Sequence, residues 1–351
     1  MNPKRLSELT SRYTSLRLAV VGDFCLDRYL EIDPEKKEVS IETGLPVHNV
    51  VRVRSQPGAA GTILNNLAAL GVGAIYPVGF AGKDGEGFEL RRCLETMPGV
   101  LPDHFVQTEL RRTFTYCKPL VLQPGKPPVE LNRLDSKNWT PTPPEISARL
   151  SAAVAELAPR IDGTILLDQV DLPETGVITT TLLKALSDLK TGRPKFLGIA
   201  DGRRGLKGFP PLIFKMNSAE LARLLEARDQ LELAEIKRQA AELARRNSQP
   251  VFVTMSERGI LGALPTGDVF HCPALPVRGE IDVVGAGDAV TANLAAALAG
   301  GAAVPEALEI AMLAASLVLH QLGTTGTASV TQISSLNRAC GWSEKPPIQP
   351  Q

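Results

Sequence analysis

The chain has 351 residues, 44% of them hydrophobic and 22% charged, with a formal net charge of zero. This is the balance of a globular protein with a large core, and it argues against partners that demand a broad basic surface, such as nucleic acid or an anionic membrane. The five cysteines (Cys25, Cys93, Cys117, Cys272, Cys340) form no C-x-x-C pair and no metal-ligand spacing with the four histidines, so they read as reduced thiols.

Residues 1–16 carry charges throughout and no apolar run of leader length. No later stretch reads as a membrane span, and the cytoplasm is the expected compartment. Short branched apolar runs at 18–21, 165–167, 196–199, 212–215 and 251–254 predict strands. Between and after them, 145–157, 176–189, 218–228 and 233–246 have helical period, and two Ala-rich helices start at Gly287 and Pro305. Strands alternating with helices predict an α/β fold, a mainly parallel sheet covered on both faces. Two segments, 31–55 and 112–135, break the rhythm with β-branched residues and prolines. They read as strands outside the main sheet that form a small lid, or else as long surface loops. The tail, 341–351, is polar and proline-rich and is expected to fray.

The strongest local signal is Asp282-Val283-Val284-Gly285-Ala286-Gly287-Asp288-Ala289, running straight into an Ala-rich helix. A helix start presents unpaired N–H groups and the positive end of a dipole, so Gly285, Ala286 and Gly287 can hold an anion, with phosphate the obvious one. An acidic residue inside such a turn suits a general base beside a transferring group. It suits an N-terminal cap equally well. Neither G-x-G-x-x-G after a strand nor G-x-x-x-x-G-K-[ST] occurs, so dinucleotide and P-loop chemistry are set aside.

This segment resembles the D-T-x-G-A-G-D signature of the PfkB, or ribokinase-like, carbohydrate kinases, with Val283 in place of Thr. The resemblance runs from Leu18 to about Val330. It implies a ribokinase-like three-layer sandwich with a β-strand lid, a kinase domain over 1–340, and Asp288 as catalytic base with Gly285, Ala286 and Gly287 as anion hole. Gly22-Asp23-Phe24-Cys25-Leu26-Asp27-Arg28-Tyr29 is similar to G-D-x-x-L-D-R-Y of the heptose-phosphate kinase branch, which implies that Asp27 binds acceptor hydroxyls; otherwise Asp27 caps a turn. Pro57-Gly58-Ala59-Ala60-Gly61-Thr62 is similar to P-G-G-A-A-N but departs at Ala59 and Thr62. Gly58, Thr62 and Asn66, with Asn65 beside it, are the implied pocket wall. Leu167-Asp168-Gln169-Val170-Asp171 resembles a strand end that reaches the acceptor, which makes Asp171 and Asp168 weaker candidates than Asp27.

On the nucleotide side, Asn217 and Glu220 match N-x-x-E, implying Mg²⁺ held partly through water. The same residues spell a capping box. Thr254, Ser256 and Gly259 resemble a nucleotide loop, and 322–326 resembles an adenine-side and monovalent-cation turn, with Gly323 near ATP and Asp282 near K⁺. A plain glycine-rich helix exit explains that turn as well. Arg133-Leu134-Asp135 matches an R-x-D of the heptose branch, and Arg112 and Lys118 are candidate cations for a phosphorylated acceptor. The expected function is ATP-dependent phosphorylation of a sugar or sugar phosphate, with a homodimer through the lid. A nucleoside or vitamin kinase, and a binding module without turnover, are the alternatives.

Overall fold

The computed structural model describes residues 1–227, 231–341 and 348–350. The helices are α1 (Pro3–Thr10), α2 (Ala60–Ala69), α3 (Gly85–Thr96), α4 (Pro144–Leu157), α5 (Thr180–Gly192), α6 (Ser218–Leu224), α7 (Leu233–Asn247), α8 (Ala286–Ala299), α9 (Val304–Leu319) and α10 (Val330–Ala339). The strands of the first half are β1 (Arg17–Gly22), β2 (Phe24–Val39), β3 (Pro46–Ala59), β4 (Ala74–Gly82), β5 (Phe105–Thr108), β6 (Phe114–Gln123), β7 (Lys126–Glu130) and β8 (Leu134–Ser136). Those of the second half are β9 (Gly163–Asp168), β10 (Gly198–Gly202), β11 (Ile213–Asn217), β12 (Val251–Thr254), β13 (Ile260–Ala263) and β14 (Val269–Cys272).

The main sheet has nine strands in the order β14-β13-β12-β11-β10-β9-β1-β4-β5. Neighbours from β12 to β5 run parallel, and the β12-β13-β14 edge is antiparallel. Strands covered on both faces must be apolar throughout, and Leu18 to Val21 of β1 are all buried. Leu18 and Val20 face a core shared with α1, α2, α8, α9 and α10. Ala19 and Val21 face the core of α4, α5 and α7. The sandwich is therefore three-layered, as expected from the sequence.

Both irregular segments are strands. β3-β2-β6-β7, with β8 on β6, form a separate five-stranded sheet. It starts earlier than the sequence reading put it, because β2 leaves directly from β1 and β3 runs to Ala59 at the start of α2. The separate sheet and the segment that carries Asp27 are thus one piece of backbone.

Three boundaries differ from the sequence expectation. The helix expected from Gly176 begins at Thr180, because the Val177 N–H donates to the buried Asp23 at 2.7 Å and Thr179 caps the helix instead. The strand expected at 196–199 is β10, shifted toward the loop. The helix expected over 218–228 ends at Leu224, with Glu226 at φ 55°; its last expected residue, Arg228, lies outside the described residues. Most of the expected fraying tail does too, and Ile348 packs against the core.

Candidate active site

From β1 the chain builds outward to β4 and β5 on one side and to β9–β12 on the other. The carboxyl ends of β1 and β9 therefore flank the place where strand order reverses, which is where open α/β sheets bind ligands. A cavity of about 400 Å³ opens there between sheet and lid, and Asp27, Thr62, Lys118, Arg203, Gly285 and Asp288 all reach it.

Gly285 precedes α8 at φ 81°, and a Cβ on it would lie 3.1 Å from Thr325. Only glycine takes that turn without strain. The Ala286 N–H is bonded to Val283 O at 3.3 Å, so of the expected anion turn it is the Gly285 and Gly287 N–H groups, with that of Asp288, which α-helix geometry leaves without intrahelical partners. Asp288 is the third residue of the helix, and no side chain caps α8; the capping reading of this aspartate is not realised. Burial first, and then the Asp201 charge, push its carboxyl up to about 7, with Lys215 and Arg203 opposing.

Beneath the turn lies a buried polar cluster that the sequence reading missed. Lys215 Nζ sits 2.7 Å from Asp201 Oδ2, and the Thr291 hydroxyl lies 2.9 Å from the same oxygen. Lys215 is the side chain closest to the space a Cβ on Gly287 would take, at 3.4 Å. Burial alone would pull the ammonium down, but Asp201, Asp288 and Glu220 together hold it above its usual value. A lysine inside the apolar run of β11 was the available signal, since such a charge is buried only when paired.

On the acceptor side, Asp27 is 6% exposed and pairs with Lys118 of β6 at 3.4 Å. Burial raises its pKa, and Lys118 only partly offsets this. Gly58 makes room for it, because a Cβ there would meet Asp27 Oδ2 at 2.5 Å. Ala59 stands at φ 53°, ψ −117°, a conformation that a residue with a Cβ rarely adopts. Arg133 and Asp135 also line the cavity, bonded to each other at 3.0 Å. Lys137 lines it as well, and a 2.9 Å pair ties it to Asp171.

Several sequence candidates lie off this wall. Asn66 is fully buried and donates to Thr62 O and Gly326 O, so it braces α2 rather than facing the cavity. Asp171 borders a neighbouring hollow with Trp139. Arg112 is exposed, with its N–H on Asn138. Asp168 is buried against Arg204 at 2.6 Å, and burial followed by Asp23 pushes its carboxyl up to about 7.

On the nucleotide side, Asn217 and Glu220 form the capping box of α6, with bonds of 2.7 and 2.8 Å. The Thr254 hydroxyl contacts Met216 O at 3.4 Å. Ser256 is exposed at φ 51°. Gly259, at φ 87°, also passes close to β14, because a Cβ on it would lie 2.1 Å from Cys272 O. Asp282 accepts from the N–H groups of Val284 at 3.0 Å and Gly323 at 3.1 Å, which stitches the 322–326 turn to the anion turn.

With this geometry in place, the family model described as pfkB family carbohydrate kinase matches residues 16–331. The chain belongs to that family. Among curated relatives, it is 33% identical over 333 residues to the bifunctional protein HldE of Bradyrhizobium sp. (strain ORS 278), covering 93% of this chain and 63% of that protein. It is 29% identical to the HldE of Syntrophotalea carbinolica, covering 95% of this chain and 65% of the relative. The chain thus spans under two thirds of the length of these relatives. Among solved structures, Escherichia coli phosphofructokinase-2 in complex with substrates and products superposes with a TM-score of 0.69 at 18% identity, over 93% of this chain and 99% of that one. Arabidopsis thaliana ribokinase complexed with ribose and ATP does so with 0.63 at 20% identity, over 92% and 98%.

Proposed function

We propose that this enzyme transfers the γ-phosphoryl group of ATP to a hydroxyl of a phosphorylated sugar of heptose size, with Asp288 as general base. The observation that carries the reading is that Asp288, poised near neutrality, faces the same cavity as Asp27 while sitting inside an anion-binding turn. Asp27 accepts from the acceptor's hydroxyls and orients one toward Asp288. Asp288 takes its proton as the new O–P bond forms and the bond from the γ-phosphorus to the β,γ-bridging oxygen breaks, releasing ADP, and the Gly285, Gly287 and Asp288 N–H groups receive the charge developing on the transferred group. Lys118, Arg133, Lys137 and Arg203, set against Asp27, Asp135 and Asp288 on the cavity wall, favour an acceptor that already carries phosphate. Thr62 completes the wall on the side of α2.

Thr254, Ser256 and Gly323 lie along the nucleotide side of this reading. Among the described residues no group of three or more His, Cys, Asp or Glu could hold a metal by itself. That suits Mg²⁺, which keeps most of its waters and takes one or two protein carboxylates plus phosphate oxygens. Glu220 would hold it, with Asn217 beside it, and the ion would neutralise charge on the phosphates. Asp282 spends both its oxygens on backbone N–H groups, so a K⁺ ion would share it with the 322–326 turn. No helix among the described residues is long and apolar enough to cross a membrane, and we assign the reaction to the cytoplasm.

The test is ATP consumption over a panel of sugars, sugar phosphates, nucleosides and vitamin alcohols, repeated with Asp288→Asn. A heptose phosphate is expected to be turned over fastest, and the variant to lose about 10²–10⁴-fold in rate while keeping ATP affinity. Fastest turnover of a nucleoside would replace the acceptor class. Near-normal turnover by Asp288→Asn would sink the mechanism.

A further inference from the structure

Gln56 stands directly opposite Asp27 in the β2–β3 ladder, half-buried at the base of the lid. Its amide nitrogen donates to the Thr325 hydroxyl at 2.9 Å and to the Tyr29 hydroxyl at 3.4 Å, and its oxygen accepts from Thr324 at 3.3 Å. Tyr29 in turn accepts from Lys118 at 3.4 Å, the cation paired with Asp27. Thr325 is the residue against which Gly285 packs. The 321–327 turn is braced on the body side by Gln321, Asn66 and Asp282. One side chain thus spends both its donors and an acceptor lone pair joining the acceptor-binding strands to the turn behind the anion hole.

We propose that Gln56 is a positioning residue that couples the lid to the nucleotide side of the site, so that filling one orders the other. This rests on the kinase reading above. A turn that shifts toward bound phosphate carries Thr324 and Thr325, and through Gln56 the register of β3 against Asp27. Coupling of this kind is a free energy shared by two sites, and it disappears when the joining contact is removed.

Hydrogen exchange of the whole chain, with and without Mg·AMP-PNP, tests it. In the wild type the nucleotide analogue is expected to slow exchange in both 321–327 and 24–59. In Gln56→Leu it should slow the turn as before, while its effect on 24–59 shrinks about fivefold or more. Thr325→Val, which breaks the same contact from the other side, should behave alike. Gln56→Glu, which accepts from Thr324 as Gln56 does and from the Thr325 hydroxyl once that turns to donate, should retain the coupling, whereas a part with only a packing role would not be rescued in this way. Slowing of 24–59 in both Gln56→Leu and Thr325→Val as in the wild type would overturn the coupling, and so would slowing confined to the turn in the wild type. No effect of Mg·AMP-PNP anywhere in the wild type would overturn the kinase reading and the coupling with it.

Discussion

At the scale of single residues, the decisive group is Asp288, whose carboxyl is raised from 3.8 to about 7 by burial and by Asp201. A raised carboxyl pKa means that the folded state holds its proton more tightly than the unfolded chain does. Between about pH 4 and pH 7 the folded state therefore carries more protons, and stability falls as pH rises through that window. Asparagine never ionises. Asp288→Asn is thus expected to equal the wild type in thermal stability near pH 4, to gain on it as pH rises to about 7, and to keep that gain above. Thermal unfolding across pH measures this, and a variant less stable than the wild type at pH 8 would contradict it. In the wild type the same ionisation should appear as a rise of kcat/KM with pH through about 7, because only the ionised form is a base.

At the scale of elements, the junction of β3 and α2 holds the clearest departure from the family motif. Ala59 occupies φ 53°, ψ −117° on the cavity wall, where the resemblance has glycine. Gly61 stands where the resemblance has alanine, and it is needed there, because a Cβ would lie 2.4 Å from Pro57 Cβ. Backbone strain of this kind typically costs about 1–3 kcal/mol, against less than about 1 kcal/mol of unfolded-state entropy returned by a new glycine. Ala59→Gly is therefore expected to stabilise the fold by about 1 kcal/mol in denaturant titration. A loss of stability would mean that the methyl group's packing outweighs the strain. Nothing in local sequence period reveals this, because the conformation is imposed by the meeting of a lid strand with a core helix.

At the scale of the whole molecule, the lid hairpin exposes Val39, Ile41, Leu45, Val51 and Val53, with Ile41 98% exposed. Val51 and Val53 lie on β3, which is an edge of its sheet, with Val51 left unpaired at a bulge. Apolar edges left bare invite pairing, and the partner we infer is a second copy of this chain, lid to lid. Sedimentation velocity should show a dimer at micromolar concentration, and Val51→Lys with Val53→Lys should return it to monomer. A monomeric wild type would remove the lid as an interface.

The sequence by itself determined the layered α/β fold, because strands buried on both faces must be apolar and their helices must carry a 3.6-residue stripe. It also located the glycine-flanked helix start that carries Asp288, because such a start is a local device that needs no partner to be recognised. Only the tertiary structure decided what is not local. It separated residues that face the cavity, such as Asp27 and Lys118, from those that brace it, such as Asn66. It showed Gly259 packed against the Cys272 carbonyl of β14, and it brought Asp201, Lys215 and Thr291 from three elements to one point under the turn. Charges buried in pairs leave no periodic trace, because each partner is chosen by a neighbour far along the chain, and that neighbour is known only once the sheet order is.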